Sequence, residues 1–442
     1  MAPRFLAATK DTFRSLHVRN FRLFFIGQLV SQTGSWLTMV AQTLLILKLT
    51  DSGIALGLLT AFQFGPVLVL GAWAGAVADR SDKRRLLIIT QAAAMVQSVA
   101  LGVVVLLSHI TPHTPTGNHS TMVAVIYGLA AVQGVLTAFD NPARRAFVVE
   151  MVPVEERSNA VSLNSAIMTG SRVFGPAVAG LLVITVGFGW CFLLDAASYL
   201  AVIYGLYAMR SSELFSSPPA VKAKGQVRDG LRYARSQREL WVPLVMMAII
   251  GTLAFNFSVT IPLLVKKTFG GGNTQFTLLF SVLSLGSLIG ALATARRRSV
   301  TGKQLVVSSA AFGAAMLALA VSPGPAFAFP VAVLLGGASI AFMTSSTAIV
   351  QVLAAPEYRG RVLALQSIVF LGSTPIGGPI VGWVSDVMGP RAGIALGGAA
   401  CLAAAAWGFT HIGNADTAEV VDADEVEAEE ELLAEGAVAL AD

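Results

Sequence analysis

The chain is poor in charge: Asp, Glu, Lys and Arg make up 12% of its 442 residues, about half the share of an average soluble protein. It has two cysteines, Cys191 and Cys401, each in or beside an apolar run, which excludes a disulfide framework and a thiolate metal site. It has no glycine-lysine phosphate loop, no nucleophile elbow and no paired catalytic carboxylates, so neither an ATP-driven pump nor a membrane enzyme is expected. His109, His113 and His119 lie close in sequence without thiolate or carboxylate companions, so no metal is expected there and no cofactor elsewhere.

What the chain has in excess is apolar residues, 55% of the total, more than the interior of a soluble globule of this size can hide. Twelve membrane helices of about 20 residues would use roughly 240 residues, close to that share. Twelve apolar segments can be marked, at 21–48, 54–78, 86–108, 121–140, 160–186, 190–209, 242–265, 275–295, 304–321, 327–353, 361–385 and 391–411. Helices are expected because a segment in lipid must satisfy its own backbone hydrogen bonds. The first segment has no cleavage site and carries polar residues, so it reads as a retained span.

The net charge of +5 would suggest nucleic acid until the charges are placed. Eleven of the 25 acids follow Gly413 with no Lys or Arg among them, leaving fourteen acids against 30 bases in the rest of the chain. Of those bases, 25 fall in the N-terminal arm and in alternate connections, while Lys48, Lys266, Lys267 and Arg391 fall in the others and Arg172 lies inside a span. Lys and Arg mark the cytoplasmic side of a spanning protein, so both termini are expected in the cytoplasm of a bacterial-type cell, with the lipid bilayer as the partner and no nucleic acid. The expected units are an arm at 1–20, a six-helix bundle at 21–209, a basic linker at 210–241, a second bundle at 242–411 and a disordered acidic tail at 412–442. In the linker Val227, Leu231, Ala234 and Leu240 alternate with Arg228, Arg232, Arg235 and Arg238, which suits either a helix along the inner membrane surface or a charged tether.

Two segments repeat across that linker. Gly75-Ala-Val-Ala-Asp79-Arg80 recurs 215 residues later as Gly290-Ala-Leu-Ala-Thr294-Ala295, each before a basic cluster. Pro153 and Gly175-Pro176 are matched by Pro356 and Gly378-Pro379 at an offset of 203. Two matches at corresponding spans point to duplication, and halves with even span numbers run parallel with a substrate path between them.

These residues carry a resemblance to the major facilitator superfamily over residues 15 to 412, an all-helical polytopic fold of two six-helix bundles. Asn20-Phe21-Arg22-Leu23-Phe24-Phe25-Ile26-Gly27-Gln28 is similar to the opening of the branch that includes enterobactin-type siderophore exporters and macrolide efflux proteins. Gly75, Asp79, Arg80 and Arg84 match the superfamily's loop between spans two and three, except that Asp82 stands where glycine is usual. Pro356-Glu357-Tyr358-Arg359-Gly360-Arg361 resembles its loop between spans ten and eleven. The resemblance implies that Asp79 faces the N-terminus of span eleven and, with Arg80, Arg84, Arg359 and Arg361, holds a cytoplasmic gate shut in one conformation.

Span five holds Ser171-Arg172-Val173-Phe174-Gly175-Pro176 and ends its motif at Gly180; a proline kinks the helix and the glycines let a neighbour approach. It resembles the antiporter motif of exporters, with Ser171 and Ala179 at positions where glycine is usual. The span-four arginine that the family links to proton relay is here Ala130, followed by Gln133-Gly134. Arg172, about twelve residues into its span, needs a reason to be there, either an ion pair with Asp140 or Asp195 that locks helices or charge coupling to substrate or proton. Gln28, Ser31, Gln32, Ser35, Thr38 and Gln42 fall within roughly 120° of one face of span one. With Gln133 and Thr137 of span four and Thr252 and Asn256 of span seven they are expected to line a cavity, interhelical hydrogen bonding being the competing reading. The combined expectation is a secondary exporter of a small amphiphilic molecule, a drug or a siderophore, exchanged for protons. An importer of the same fold and a non-transporting sensor are the rivals.

Overall fold

The computed structural model describes residues 13–109, 119–215, 226–295 and 301–412. The acidic tail, His113, Lys222, Lys224 and the Arg296-Arg297-Arg298 cluster lie outside the described residues. Among the described residues there is no strand. Three of the long apolar helices start on a polar side chain that takes one of the first free amides. α1 (Arg19–Thr50) ends at Asp51, whose φ of 50° turns the chain, and Ser52 then accepts the amide of Ala55 at 3.3 Å to start α2 (Gly53–Arg80). α3 (Lys83–Leu107) begins on Asp82, which accepts from the amide of Arg85 at 3.1 Å. α4 (Ser120–Glu150), α5 (Arg157–Thr185) and α6 (Phe188–Tyr207) follow, then a linker helix α7 (Gln226–Ser236). α8 (Arg238–Leu253) and α9 (Phe257–Leu263) are one path broken at Asn256. α10 (Asn273–Ala295), α11 (Gly302–Ala320, started by a Thr301/Gln304 capping box), α12 (Pro325–Leu353), α13 (Pro356–Met388) and α14 (Pro390–Ile412) complete the chain.

Ten of these stretches are long and apolar enough to cross a membrane, and α5, bent by 41° between Arg172 and Phe174, makes an eleventh if it counts as one span. The bend has a cause in the sequence. Pro176 has no amide hydrogen, and its ring displaces the carbonyl four residues earlier, that of Arg172. α1 falls outside that set because Gln28, Gln32 and Gln42 interrupt its apolar run.

The helices up to Tyr207 pack on one another, chiefly α1 on α6 and α5, α2 on α4 and α3 on α6. Those from Arg238 onward do the same, with α10 on α12, α11 on α14 and α8 on α13. The two sets meet along α2 against α13 and α5 against α10. These are the four helices that carry the repeated sequence segments.

Short connections make neighbours antiparallel and sort the helix ends onto two faces. On one face Asn20 exchanges two 3.0 Å hydrogen bonds with the backbone of Arg210, and Lys83 pairs with Glu150 at 2.7 Å. That basic face also carries Arg80, Arg157, Arg238 and Arg359. Side-chain packing differs between the faces. One buried cluster runs through both sets, joining Leu37, Leu56 and Phe192 to Ile261, Leu279 and Phe312 toward the opposite face and extending within the second set to Val242, Leu305 and Ile349. At the basic face there are two separate clusters, Phe21, Phe24, Leu87 and Phe147 in the first set and Ala234, Leu244, Val350 and Val362 in the second. The sets are therefore joined at one end and parted at the other. Glycines report the same asymmetry: a side chain at Gly53 or Gly57 would strike the backbone of Gly382 or Gly378, whereas Gly71, Gly75 and Gly170, nearer the basic face, meet nothing. Large apolar side chains such as Val69, Leu107, Tyr204 and Leu334 point outward, as a lipid-facing surface requires.

Three expectations need correction. Span four does not end near residue 140, because Asn141-Pro142 stays helical and α4 continues to Glu150, so Arg144 is a helix residue and not a loop charge. The linker helix is packed against protein: Ala234 is fully buried, Tyr233 stacks on Tyr358 with ring centroids 4.2 Å apart, and Tyr233 Oη accepts the amide of Ala355 at 3.0 Å. Span seven is not continuous but breaks at Asn256.

Candidate functional site

Where the two sets part, a cavity of about 560 Å³ lies between α1, α5, α10 and α12. Gln32 and Trp36 line it from α1, Met168 and Arg172 from α5, Ser284, Ser287 and Ala291 from α10, and Met343, Thr344, Thr347 and Gln351 from α12. The bend at Arg172 turns that side chain into this space, and Gly175, one turn on, lets Trp36 pack directly against the α5 backbone. Gly180 gives Thr277 of α10 the same close approach toward the opposite face, so the motif on α5 serves both the cavity wall and the joint between the sets.

A second cavity, of about 200 Å³, shares Gln32 and Met168 with the first and extends into the first set. Ser31, Ser35, Gln91, Gln133, Thr137 and Tyr199 line it around Asp140 and Arg144. These two form an ion pair one helical turn apart on α4. Asp140 also accepts from Thr90 Oγ1 at 3.0 Å and Gln91 Nε2 at 2.7 Å of α3, while Arg144 donates to Gln28 of α1. Asp140 is thus a fully engaged carboxylate on the wall of a polar pocket.

Asp195 has a different setting. It is 1% exposed, and its Oδ2 accepts from Thr38 Oγ1 at 2.6 Å and faces Ser98 Oγ at 3.0 Å, tying α1, α3 and α6 together inside the first set. Its Oδ1 has no partner and lies against Gly34. Neither acid pairs with Arg172, which corrects the sequence-based pairing: Asp140 is bound to Arg144 and Asp195 is sealed away from the cavity. Among the described residues Arg172 makes neither a hydrogen bond nor an ion pair.

The other expected site residues divide in the same way. Gln32, Ser35, Gln133 and Thr137 line the cavities. Gln28 is buried as the partner of Arg144, and Gln42 is buried as the acceptor of Gln63 Nε2 at 2.7 Å. Thr252 and Asn256 are also off the cavity walls: the Asn256 side-chain Nδ2 donates to the carbonyl of Thr252 at 2.6 Å, closing the break between α8 and α9 against Gly377. These four placements follow the competing reading, hydrogen bonding between and within helices.

Among the gate residues, Arg84 caps α6, donating to the carbonyls of Leu206 at 2.8 Å and Tyr207 at 3.2 Å, so it acts within the first set. Arg361 lies over the Tyr358 ring at 5.1 Å, Arg80 and Arg359 are exposed, and Asp79 is half-buried near the end of α2. Gly378 and Pro379 sit against Gly57 at the opposite face.

That opposite face holds the polar contacts between sets that the sequence did not suggest. Asp386, near the end of α13, accepts from Ser52 Oγ at 2.7 Å and from the amides of Gly53 at 2.7 Å and Ile54 at 3.0 Å at the start of α2, and pairs with Lys267 at 3.1 Å. Lys266 pairs with Asp51 at 2.8 Å and donates to the carbonyl of Leu47 at 3.1 Å. Three of the four cations that break the inside-positive pattern thus hold helix ends together, since Arg391 likewise donates to the carbonyl of Ser322 at 2.9 Å.

The geometry has counterparts among known proteins. The family model described as transmembrane secretion effector matches residues 10–436. The chain is 25% identical over 374 residues to a staphyloferrin A transporter of Staphylococcus aureus, covering 83% of this chain and 90% of that one. It is 22% identical to macrolide efflux protein A of Streptococcus pyogenes (81% and 87% covered) and 23% identical to the multidrug efflux pump Tap of Mycolicibacterium fortuitum (84% and 90%). By fold it is similar to a D-xylose-proton symporter, with a TM-score of 0.69 at 13% identity (90% and 98% covered). It is likewise similar to an inward-facing bacterial homologue of the lysosomal transporter Spinster, at 0.64 and 17% (90% and 97%). The chain belongs to the transmembrane secretion effector family of major facilitator superfamily transporters, in the branch of siderophore and macrolide-efflux proteins, and is a multi-pass membrane transporter and not an enzyme.

Proposed function

We propose that the protein is a secondary exporter that moves a small amphiphilic molecule out of the cytoplasm in exchange for protons. Twelve spans form two six-helix halves that rock about the central cavity, with the basic face and both termini in the cytoplasm. The observation that carries this reading is the split core: one apolar cluster shared by both sets at the far face, two separate clusters at the basic face, and a mixed polar and apolar cavity between them. With the basic face inside, this is the conformation that loads cargo from the cytoplasm. The efflux names of two relatives agree with that direction.

Coupling needs an ion and a cargo that bind the two conformations differently, since equal affinity shifts nothing. Asp140 is the proposed proton acceptor. It lines a polar pocket that shares Gln32 and Met168 with the cargo cavity, and its ion partner Arg144 reaches across to α1, so protonation of Asp140 would free Arg144 and its tie to Gln28. One proton crossing about 100 mV supplies about 2.3 kcal/mol, enough to hold a roughly fiftyfold gradient of an uncharged cargo. Asp195 has no such access and serves as a tie between three helices. Efflux of loaded fluorescent amphiphiles from cells, with and without a protonophore, tests the reading. Loss of efflux when the gradient collapses supports it, and unchanged efflux contradicts it.

A further inference from the structure

Among the described residues, Arg172 is a cation inside a span that makes no hydrogen bond or ion pair with its own chain. A guanidinium in mid-span ordinarily pairs with a carboxylate or with backbone carbonyls. Here the nearby acids are committed elsewhere, Asp140 to Arg144, Thr90 and Gln91, and Asp195 to Thr38 and Ser98. Of the described side chains that line the larger cavity, Arg172 is the only charged one and none is acidic. Gln32, Ser284, Ser287, Thr347 and Gln351 add neutral donors and acceptors, and Trp36, packed onto Gly175 one turn away, supplies a flat apolar wall. The bend that Pro176 imposes at Arg172 holds the guanidinium out into this space.

We propose that the cargo is an anion: an amphiphile bearing a carboxylate that Arg172 grips through its two parallel N–H groups while the apolar body lies against Trp36, Met168 and Met343. This rests on the transport reading and specifies its substrate class. The guanidinium fork matches a planar carboxylate, and a cavity walled by protein strengthens the contact over its value in bulk water. The electrical balance is favourable as well. An anion leaving while a proton enters moves two charges in the same electrical sense, so an inside-negative potential drives both.

Two matched probes test the proposal: N-dansyl-leucine, which carries a carboxylate, and N-dansyl-leucinamide, its neutral twin. Binding is read by dansyl fluorescence to purified full-length protein in nanodiscs. The acid is expected to bind at least tenfold more tightly than the amide. Arg172→Gln is expected to reduce the acid's affinity to that of the amide while leaving the amide's unchanged, and Arg172→Lys to fall between. Unchanged amide binding also shows that the variant is folded, and if it does not fold the wild-type comparison of the two probes decides alone. Equal binding of acid and amide by the wild type, an acid affinity untouched in Arg172→Gln, or no binding of either probe overturns the proposal. Export separates the two levels. Equal export of both probes removes the anion preference and leaves the exporter intact, whereas acid-selective binding without gradient-driven export supports the anion site and removes the exporter.

Discussion

Asp386 Oδ1 accepts the backbone amide of Gly53 at 2.7 Å, joining the end of α13 to the start of α2 across the line where the two sets meet. The same carboxylate holds Ile54 and Ser52, so a residue of the second set caps the N-terminus of α2 alongside its own Ser52. α2 and α13 run antiparallel, and each therefore begins beside the other's end. At the far end of this pair the start of α13 has the amide of Ala355 on Tyr233 of the linker helix. In the proposed outward-facing state Asp79, at the end of α2, would take that position, giving one helix pair two alternative latches.

Asp386→Asn is expected to weaken closure of the opposite face by about 1–2 kcal/mol, a shift of about 5-fold to 30-fold in the ratio of the two conformations. Cys191 and Cys401 are buried, so spin labels can be directed to cysteines placed at the exposed Val186 and Met388. The variant should show a new, longer distance between them by pulsed electron resonance. An unchanged distance distribution would remove the latch.

Gly57→Ala pushes the same way by a steric route. Its new methyl would strike the carbonyl of Gly378, which belongs to backbone and cannot swing aside. The same label pair should report loss of the short distance, while Gly71→Ala, where space is open, should leave it unchanged.

Arg144→Gln leaves the Asp140 carboxylate buried without its cation, a loss expected to cost about 3–5 kcal/mol. Removing both charges, as Asp140→Asn with Arg144→Gln, should recover much of that. Thermal denaturation of the purified single and double variants checks it: a double variant no more stable than the single would mean that the pair is not coupled.

Asp195→Asn keeps the size of the tie between α1, α3 and α6 and should leave efflux within about twofold of the wild type, whereas Asp195→Ala should lower stability by about 1–3 kcal/mol through the stranded hydroxyl of Thr38, Ser98 keeping the Phe192 carbonyl as its acceptor. Efflux that fails in Asp195→Asn at wild-type stability would move the proton site from Asp140 to Asp195.

The sequence made the spans and the repeated motifs legible because lipid enforces length and apolarity on every spanning segment. It did not make the end of α4 legible: Asn141-Pro142 reads as a stop, yet the helix continues, and Arg144 was counted with the loops. Nor did it tell cavity from interface. Gln32 and Gln42 share a helical face, but one meets open space and the other meets Gln63, a difference made by neighbours that a single helix cannot reveal. The wall given by the second set was missed because Ser284, Ser287, Thr344 and Thr347 are small and weakly polar; their three-residue spacing on α10 and α12 was the available signal. The latch at Asp386 left a trace as well, since Lys266 and Lys267 stand on the side where cations are scarce.

The most direct test of proton-driven export uses everted membrane vesicles, in which the cytoplasmic face points outward. Vesicles energised by respiration are expected to accumulate N-dansyl-leucine or N-dansyl-leucinamide, to lose that accumulation on addition of a protonophore, and to show none with Asp140→Asn. Accumulation that persists at full extent after the proton gradient has been collapsed would contradict the account.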